Sequence, residues 1–452
     1  MSFKPDFAWG AATSAYQIEG AAAVDGRGPS VWDRFCRQPG RVFEGHHGDV
    51  ACDHYHRWEG DVELMKQIGL KAYRFSLSWS RILPEGTGRV NDAGLAFYDR
   101  LVDGLLDAGI EPWVTLFHWD YPLALQRRGG WLSAESPQWF ADYARVVTER
   151  LSDRVTKWMT LNEPQCFIGL GHRSGDHAPG DRMEMPHVLC AVQNALLAHG
   201  LAVRAIREHA KKTPTVGWAP TGDVAVPLTD SAVDRQAAHD AYWSVSAGSL
   251  WNQAWWSDPV RFGHYPEQGL REYGADVPSC SDEEMRIISE PLDYYGMNIY
   301  NGYFVKADDD GKPEHVMRSP GVPTSHFQWR VTPEALFWGP TWVHERYGLP
   351  IAITENGMAS HDWVALDGAV HDPQRIDYVS RYLRELRRAA ATGVDVWAYF
   401  HWTLMDNFEW AEGYRYRFGM IHVDFQTQQR TLKDSARWYR EVIASNAMNI
   451  PE

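Results

Sequence analysis

A closed (β/α)8 barrel folded as a single α/β domain is the class this sequence predicts, and three observations lead there. Amphipathic stretches of helical period alternate with short β-rich runs. A glycine followed by a branched aliphatic residue marks the junction four times. Polar residues stand where the apolar runs end. Glycine enters the left-handed conformation that closes a helix at little cost, so each Gly-aliphatic step reads as helix, short loop, strand.

The first strand is placed at Phe7–Gly10, and Gly69-Leu70 introduces the second, Lys71–Trp79. Behind Asn91 as a cap, Leu95, Tyr98, Leu101, Val102, Leu105 and Leu106 share one helical face, and Gly109-Ile110 then introduces Glu111–Trp119. Ser136-Pro137 reads as the N-cap and first residue of a helix carrying Phe140, Tyr143 and Val147. Further strands fit at Val155–Leu161, Val216–Ala219 and Tyr294–Tyr300. Gly348-Leu349 precedes Pro350–Glu355. Ile376, Val379, Tyr382, Leu383 and Leu386 form the apolar face of a helix ending at Gly393-Val394, before Asp395–Trp402. Equal repetition favours closure over a doubly wound sheet. Length beyond a minimal barrel of about 250 residues falls in loops at 165–185, 223–290, 306–330, 357–373 and 406–430. With no linker or low-complexity tract, residues 1–452 read as one domain.

Composition narrows function by exclusion. With 44 basic and 59 acidic residues the formal charge is -15, which lacks the basic footprint that nucleic acid or an anionic membrane requires. The segment Met1–Asp6 has no apolar signal core, and no run reads as a membrane span. Cys36, Cys52, Cys166, Cys190 and Cys280 never form a C-x-x-C pair, a pattern of reduced, mostly buried thiols that places the protein in the cytoplasm. The 22 tryptophans suit core packing or an aromatic cleft for sugar faces equally. His46, His47, Cys52, Asp53, His54 and His56 lack the ligand spacing of a metal site, and Asp308–Gly311 reads as an exposed turn rather than a calcium loop. Gly169-Leu170-Gly171 opens no phosphate-binding helix, and no G-x-S-x-G elbow occurs. No metal or other cofactor is expected.

The strand ends are more informative. The second strand offers Arg74, Ser76 and Ser78, the third ends in His118-Trp119-Asp120, and the fourth in Asn162-Glu163-Pro164. Asn298 and Tyr300 follow on the sixth, Glu355-Asn356-Gly357 on the seventh, and His401-Trp402 on the eighth, whose loop carries Asn407, Glu409 and Trp410. Barrel enzymes build their sites at this C-terminal rim from several strands. Two glutamates across such a rim have the makings of glycoside hydrolysis, which needs one carboxylic acid for the leaving oxygen and one carboxylate at the anomeric carbon. On spacing alone, salt-bridge partners remain an equal reading.

Four motifs taken in order resemble glycoside hydrolase family 1, the β-glucosidase family, over essentially the whole chain. They are Phe7–Gly20, Thr160-Leu161-Asn162-Glu163-Pro164, Ile353-Thr354-Glu355-Asn356-Gly357 and His401–Trp410. The resemblance implies a retaining β-glycosidase with Glu355 as nucleophile and Glu163 as acid, then base. It implies that Arg74 and Tyr300 contact the nucleophile and that Asn298 supports the site near it. Gln17, His118, Asn162, Glu409 and Trp410 would hold the hydroxyls of the first sugar, with Trp119 helping. Trp402 would be the stacking platform and Trp329 the lining of the leaving-group subsite. It also implies a cis peptide between Trp402 and Thr403. The substrates implied are small β-glucosides or short β-linked oligosaccharides, with galactosides and fucosides left open, as is assembly into a homo-oligomer. Glu409 stands where phospho-glycosidases of the family carry a small hydroxyl residue, so its charge is expected to repel a 6-phosphate. Tyr416 stands where many members show Lys. The rival readings are a 6-phospho-β-glycosidase and a sugar-binding barrel without turnover.

Overall fold

The computed structural model describes residues 3–451. Eight parallel strands follow the chain as β1 (Ala8–Ala12), β2 (Ala72–Ser76), β3 (Glu111–Phe117), β4 (Lys157–Asn162), β5 (Thr215–Ala219), β6 (Tyr295–Asn298), β7 (Ile351–Asn356) and β8 (Val396–Trp402). Neighbours run β5-β4-β3-β2-β1-β8-β7-β6. The ends of that row meet through Asp293 N donating to Val216 O at 2.9 Å and Asn298 N to Pro220 O at 3.0 Å. The sheet thus closes into a barrel, and every predicted strand is present within a few residues of its predicted bounds.

Alternation along the strands separates two cores. Inside the barrel, Ala12, Ala72, Trp113, Met159, Ala219, Ala352, Ala398 and Phe400 fill the lumen, with the Trp113 and Phe400 rings 5.1 Å apart. Gly10 belongs here because a Cβ on it would stand 2.5 Å from the Phe400 ring. Outside, Trp9, Tyr73, Val114, Leu161 and Ile353 face the helical shell. That shell is built from α1 (His54–Ile68), α2 (Asp92–Asp107), α3 (Ser136–Leu151), α4 (Met185–His209), α5 (Ala335–Tyr347), α6 (Pro373–Ala391) and α7 (Asp434–Ser445). Gly69, Gly109, Gly348 and Gly393 all sit at positive φ, between 67° and 107°, as helix-ending residues must.

Several local expectations need correcting. Strand β2 stops at Ser76, and Trp79 instead opens a buried turn of helix, Trp79–Ile82. Ser136 does not cap α3: Glu135 holds that place without a capping bond, and the Ser136 hydroxyl is buried with no partner. Asn91 does precede α2, but its amide donates to Asp25 O and Arg81 O, both at 2.8 Å, and so ties loops together. Leu106 is 40% exposed, beyond the edge of the apolar stripe. Helix α4 is long and apolar enough to cross a membrane, contrary to the reading of the sequence, yet 78% of its most apolar stretch is buried inside the protein. It packs so tightly that a Cβ on Gly200 would meet Ile287 O at 1.8 Å. The histidine-rich segment is absorbed by its own neighbours, with His54 Nδ1 at 2.8 Å from Asp61 and His56 Nδ1 at 2.6 Å from Asp53. Asp308–Gly311 is the exposed turn expected, its Asp308 carboxylate accepting from the backbone of Asp310 and Lys312.

The long loops are pinned by a buried ionic network under the rim. Lys433 Nζ lies 2.6 Å from Asp362 and 2.7 Å from Asp406, and all three are essentially inaccessible. Arg375 adds Asp362 at 2.7 Å together with Asp372, and Arg417 reaches Asp406 at 2.6 Å. Lys433, bound to both Asp406 and Asp362, thereby holds the loop after β8 to the loop after β7. Removing one member of such a network leaves buried charge uncompensated. Lys433→Met should therefore cost about 3–5 kcal/mol, read as a lower urea midpoint; an unchanged midpoint would show that the network is dispensable.

Candidate active site

Both strands that carry the candidate glutamates lose their regular register at the rim. Pairing of β4 with β5 shifts between Met159 and Asn162, and pairing of β7 with β6 shifts between Ile353 and Glu355. Irregularities of this kind re-aim side chains, and they gather next to active sites. Glu163 then takes φ 48°, ψ 66° as the residue before a short helix begun by Pro164, and its N–H donates to Ala219 O at 2.8 Å. Trp119 at φ 79° and Trp410 at φ 50° share this left-handed conformation, which costs a non-glycine residue energy and clusters where geometry is fixed for function.

Beneath the two carboxyls a single hydrogen-bonded chain joins five strands. Arg74, 1% exposed, donates from Nη1 to Glu355 Oε1 at 2.7 Å and to Thr354 O at 3.0 Å. Its Nε reaches Thr115 Oγ1 at 3.2 Å and its Nη2 the side-chain oxygen of Asn162. Asn162 also accepts from Asn298 Nδ2 at 2.9 Å, and the same nitrogen donates to Glu163 Oε1 at 2.7 Å. Thr354 Oγ1 donates to Asn298 Oδ1 at 2.6 Å, which fixes the orientation of that amide. Tyr300 donates its hydroxyl to Glu355 Oε2. Asn298 thus stands between the two carboxyls, bonded directly to Glu163 and close enough to Glu355 to favour its charged form. Cys166, read from the sequence only as a buried thiol, donates to Glu163 Oε2 at 3.1 Å. Its place one helical turn after Glu163 was the available signal.

These environments separate the acids. Burial first, then the charge of Glu355, pushes Glu163 up to about 7. Burial raises Glu355 too, but Arg74 and the Tyr300 hydroxyl oppose it. Glu409 is pushed up to about 8 by burial, with Glu355, Glu163 and Glu412 adding to it. Carboxyls crowded together away from water do not all ionise, and the one facing a guanidinium keeps its charge most easily. His118 is driven well below its usual range by burial, with Arg74 contributing. Asn162 Nδ2 lies 3.1 Å from His118 Nε2, so that nitrogen accepts and the proton sits on Nδ1, which is buried without a protein partner.

Above this floor opens a cavity of about 680 Å³. Its inner wall combines His118, Trp119, Glu163, Glu355, Trp402, Glu409 and Trp410, and Tyr300 and Trp329 belong to its side. Trp119 and Trp410 have ring centroids 4.6 Å apart, and His118 lies parallel to Trp402 at 5.6 Å. The Trp402–Thr403 peptide is cis, as the resemblance implies. Arg74, Asn162, Asn298 and Gln17 lie behind the lining. Gln17 is fully buried, accepting from Ser14 Oγ at 2.6 Å and donating to Phe408 O at 2.9 Å. Tyr416 packs its ring on Phe327 at 4.5 Å on the outer side. The outer wall also includes Trp251, Phe327, Phe418 and Asp223, which sit on long loops and carry no motif in the sequence.

The glycosyl hydrolase family 1 model matches residues 1–448. The chain is 44% identical to β-glucosidase A of Thermotoga maritima over 99% of its own length and 98% of that protein's. It is 43% identical to β-glucosidase A of Acetivibrio thermocellus, covering 99% of both. The solved β-glucosidase of Thermotoga maritima in complex with glucoimidazole superposes with a TM-score of 0.91 at 44% identity, over 99% of this chain and 100% of that one. A second structure of that enzyme, with galacto-hydroximolactam, gives 0.91 at 43% identity, over 99% of this chain and 100% of that one. With the motifs, the barrel and these full-length matches together, the chain belongs to glycosyl hydrolase family 1 and is a glycoside hydrolase.

Proposed function

We propose that the protein hydrolyses terminal non-reducing β-D-glucosyl residues by double displacement, with Glu355 as nucleophile and Glu163 as acid and then base. One observation carries the reading: two buried carboxyls share a cavity, but only Glu355 has a guanidinium against it. Glu355, held charged by Arg74 and aimed by Tyr300, attacks the anomeric carbon while Glu163 gives its proton to the departing oxygen. The glycosyl ester has no charge, so one cause of the raised proton affinity of Glu163 disappears. Glu163 then takes a proton from the water that attacks the ester.

The free Nδ1–H of His118, with Glu409 and Trp410, offers hydrogen bonds to sugar hydroxyls, and Trp402 offers a face for the ring. Gln17 and Asn162 act from behind that surface. A neutral glycone is favoured, but for a reason other than the one read from the sequence. With Glu409 pushed up to about 8, its charge is largely absent at neutral pH. Among the described residues no Lys or Arg lines the cavity to hold a 6-phosphate. Galactosides and fucosides, which differ from glucosides at C4 and C6, are the second substrates to assay. All five cysteines are unpaired thiols, which suits a reducing, cytoplasmic setting.

A chromogenic aryl β-glucoside separates this reading from a sugar-binding barrel: the proposal expects release of the phenol, and binding of glucose without release would favour the rival. Glu355→Gly should fall to background on that substrate, with azide restoring turnover as a substitute nucleophile. Near-normal rates in that variant would remove Glu355 from the role. Because Glu163 must hold a proton to act as acid, kcat/KM should fall as pH rises through about 7. Glu355→Gln removes the neighbouring charge and should lower the titration of Glu163, followed by carbon NMR of labelled carboxyls; no downward shift would mean that the two groups are not coupled.

A further inference from the structure

The outer half of the cavity, beyond the residues proposed to hold the first sugar, has a composition of its own. Aromatic faces supply much of its wall: Trp251, half exposed at the mouth, and Phe327 and Trp329, whose rings lie 4.5 Å apart. Asp176, Asp223 and Glu412 complete it. Among the described residues no Lys or Arg lines any part of the cavity. The two lining imidazoles do not supply positive charge either. His177 is pushed down to about 4 and His118 lower than its usual range, both by burial.

Two guanidiniums bonded to lining glutamates are already committed. Arg74 lies under the floor, bound to Glu355 at 2.7 Å. Arg415 is held by Glu412 at 2.7 Å, donates to the Tyr416 hydroxyl at 2.8 Å, and lies over the Phe43 and Tyr416 rings at 4.8 and 4.6 Å. Glu412 is thereby paired, whereas Asp176 and Asp223 at the mouth make no ion pair within 4 Å among the described residues, although Arg41 donates to Gly175 O at 3.0 Å beside Asp176. An aromatic face carries negative electrostatic potential and attracts a cation laid against it. Acids at a rim act mainly on encounter and on discrimination between charged ligands. The overall formal charge of -15 works in the same direction at longer range.

The geometry points to a leaving-group half of the cavity that selects aglycones carrying positive charge, an ammonium or protonated amine on an aromatic ring, over anionic ones. This rests on the glucosidase reading and adds to it the chemical class of the aglycone. Trp251, Trp329 and Phe327 would take the aromatic body, and Asp176 and Asp223 would face the cation. No chemical step beyond the proposed hydrolysis is involved.

The test uses three aryl β-glucosides bearing a para ammoniomethyl, hydroxymethyl or sulfomethyl group. The methylene keeps the acidities of the three phenols close, so that differences report binding rather than leaving-group strength. At low ionic strength kcat/KM should fall in the order cation, neutral, anion, with a cation-to-anion ratio of about tenfold. Screening by 0.5 M salt should shrink that ratio several-fold. In the double variant Asp176→Asn, Asp223→Asn the ratio should move toward one. The readout is a ratio within one protein, so partial loss of folding or of general activity does not alter it. A ratio near one in the wild type, an inverted order, or a ratio unmoved by the double variant would overturn the inference while leaving the glucosidase reading intact. No phenol released from any of the three would remove the glucosidase reading, and the inference with it.

Discussion

A single guanidinium buried under the barrel rim is the constraint on which the site depends. Arg74 stands on β2, yet its acceptors are Thr115 on β3, Asn162 on β4, and Thr354 and Glu355 on β7. In the sheet, β2 and β7 are separated by β1 and β8, so one side chain reaches across the lumen. Only a closed barrel brings those acceptors within reach of one planar fork. The planarity matters too, because an ammonium would offer a point charge where several fixed directions are used. A cation this deep is tolerable because a carboxylate and three neutral oxygens replace its hydration.

The same burial explains why neighbouring glutamates differ. The three glutamates of the inner cavity, Glu163, Glu355 and Glu409, are all pushed toward their neutral forms by loss of water. Arg74 breaks that symmetry in favour of Glu355. Glu163, bonded instead to a neutral amide and a thiol, keeps its proton near pH 7. Asn162 and Asn298 transmit the arrangement physically, since each amide has its oxygen and nitrogen assigned by fixed partners. The charge on one carboxyl and the proton on the other are thus set by one network, although the glutamates lie on different strands.

Much of this was legible in the sequence for reasons that are local. The Gly-aliphatic steps marked helix ends because a positive φ is a property of one residue, and the strands followed from short apolar runs beside them. Strand-end placement made the polar residues candidates, and the roles came from the resemblance of the four motifs to the family. What escaped depends on distant partners. Ser136 looked like a cap, but nothing in the dipeptide shows that the helix starts one residue early. Leu106 fits the helical period, and its 40% exposure reflects how far the shell extends over α2. Which face of its amide Asn298 turns to Glu163 depends on Thr354, a contact across 56 residues of sequence. The outer wall was hidden most completely, because Trp251 and Phe327 reach the cavity from loops whose folding no period describes.

Those loops raise a question of rigidity, since polar residues on long excursions seldom hold a catalytic geometry unaided. Here the loop after β8 carries Glu409 and Trp410 and returns through Phe418, all of them cavity residues. Asp406 fixes it at its root, accepting from Lys433 at 2.7 Å and from Gly419 N at 3.0 Å, so that one carboxylate ties both limbs of the loop. Lys433 in turn binds Asp362 in the loop that follows Glu355. The loop bearing Glu409 is therefore braced against the loop that follows Glu355 by charges that water does not reach and salt screens little. The site has two ionic supports at different depths. Arg74 sets the state of the reacting carboxyls from below, and Lys433 fixes from behind the walls that hold the sugar against them.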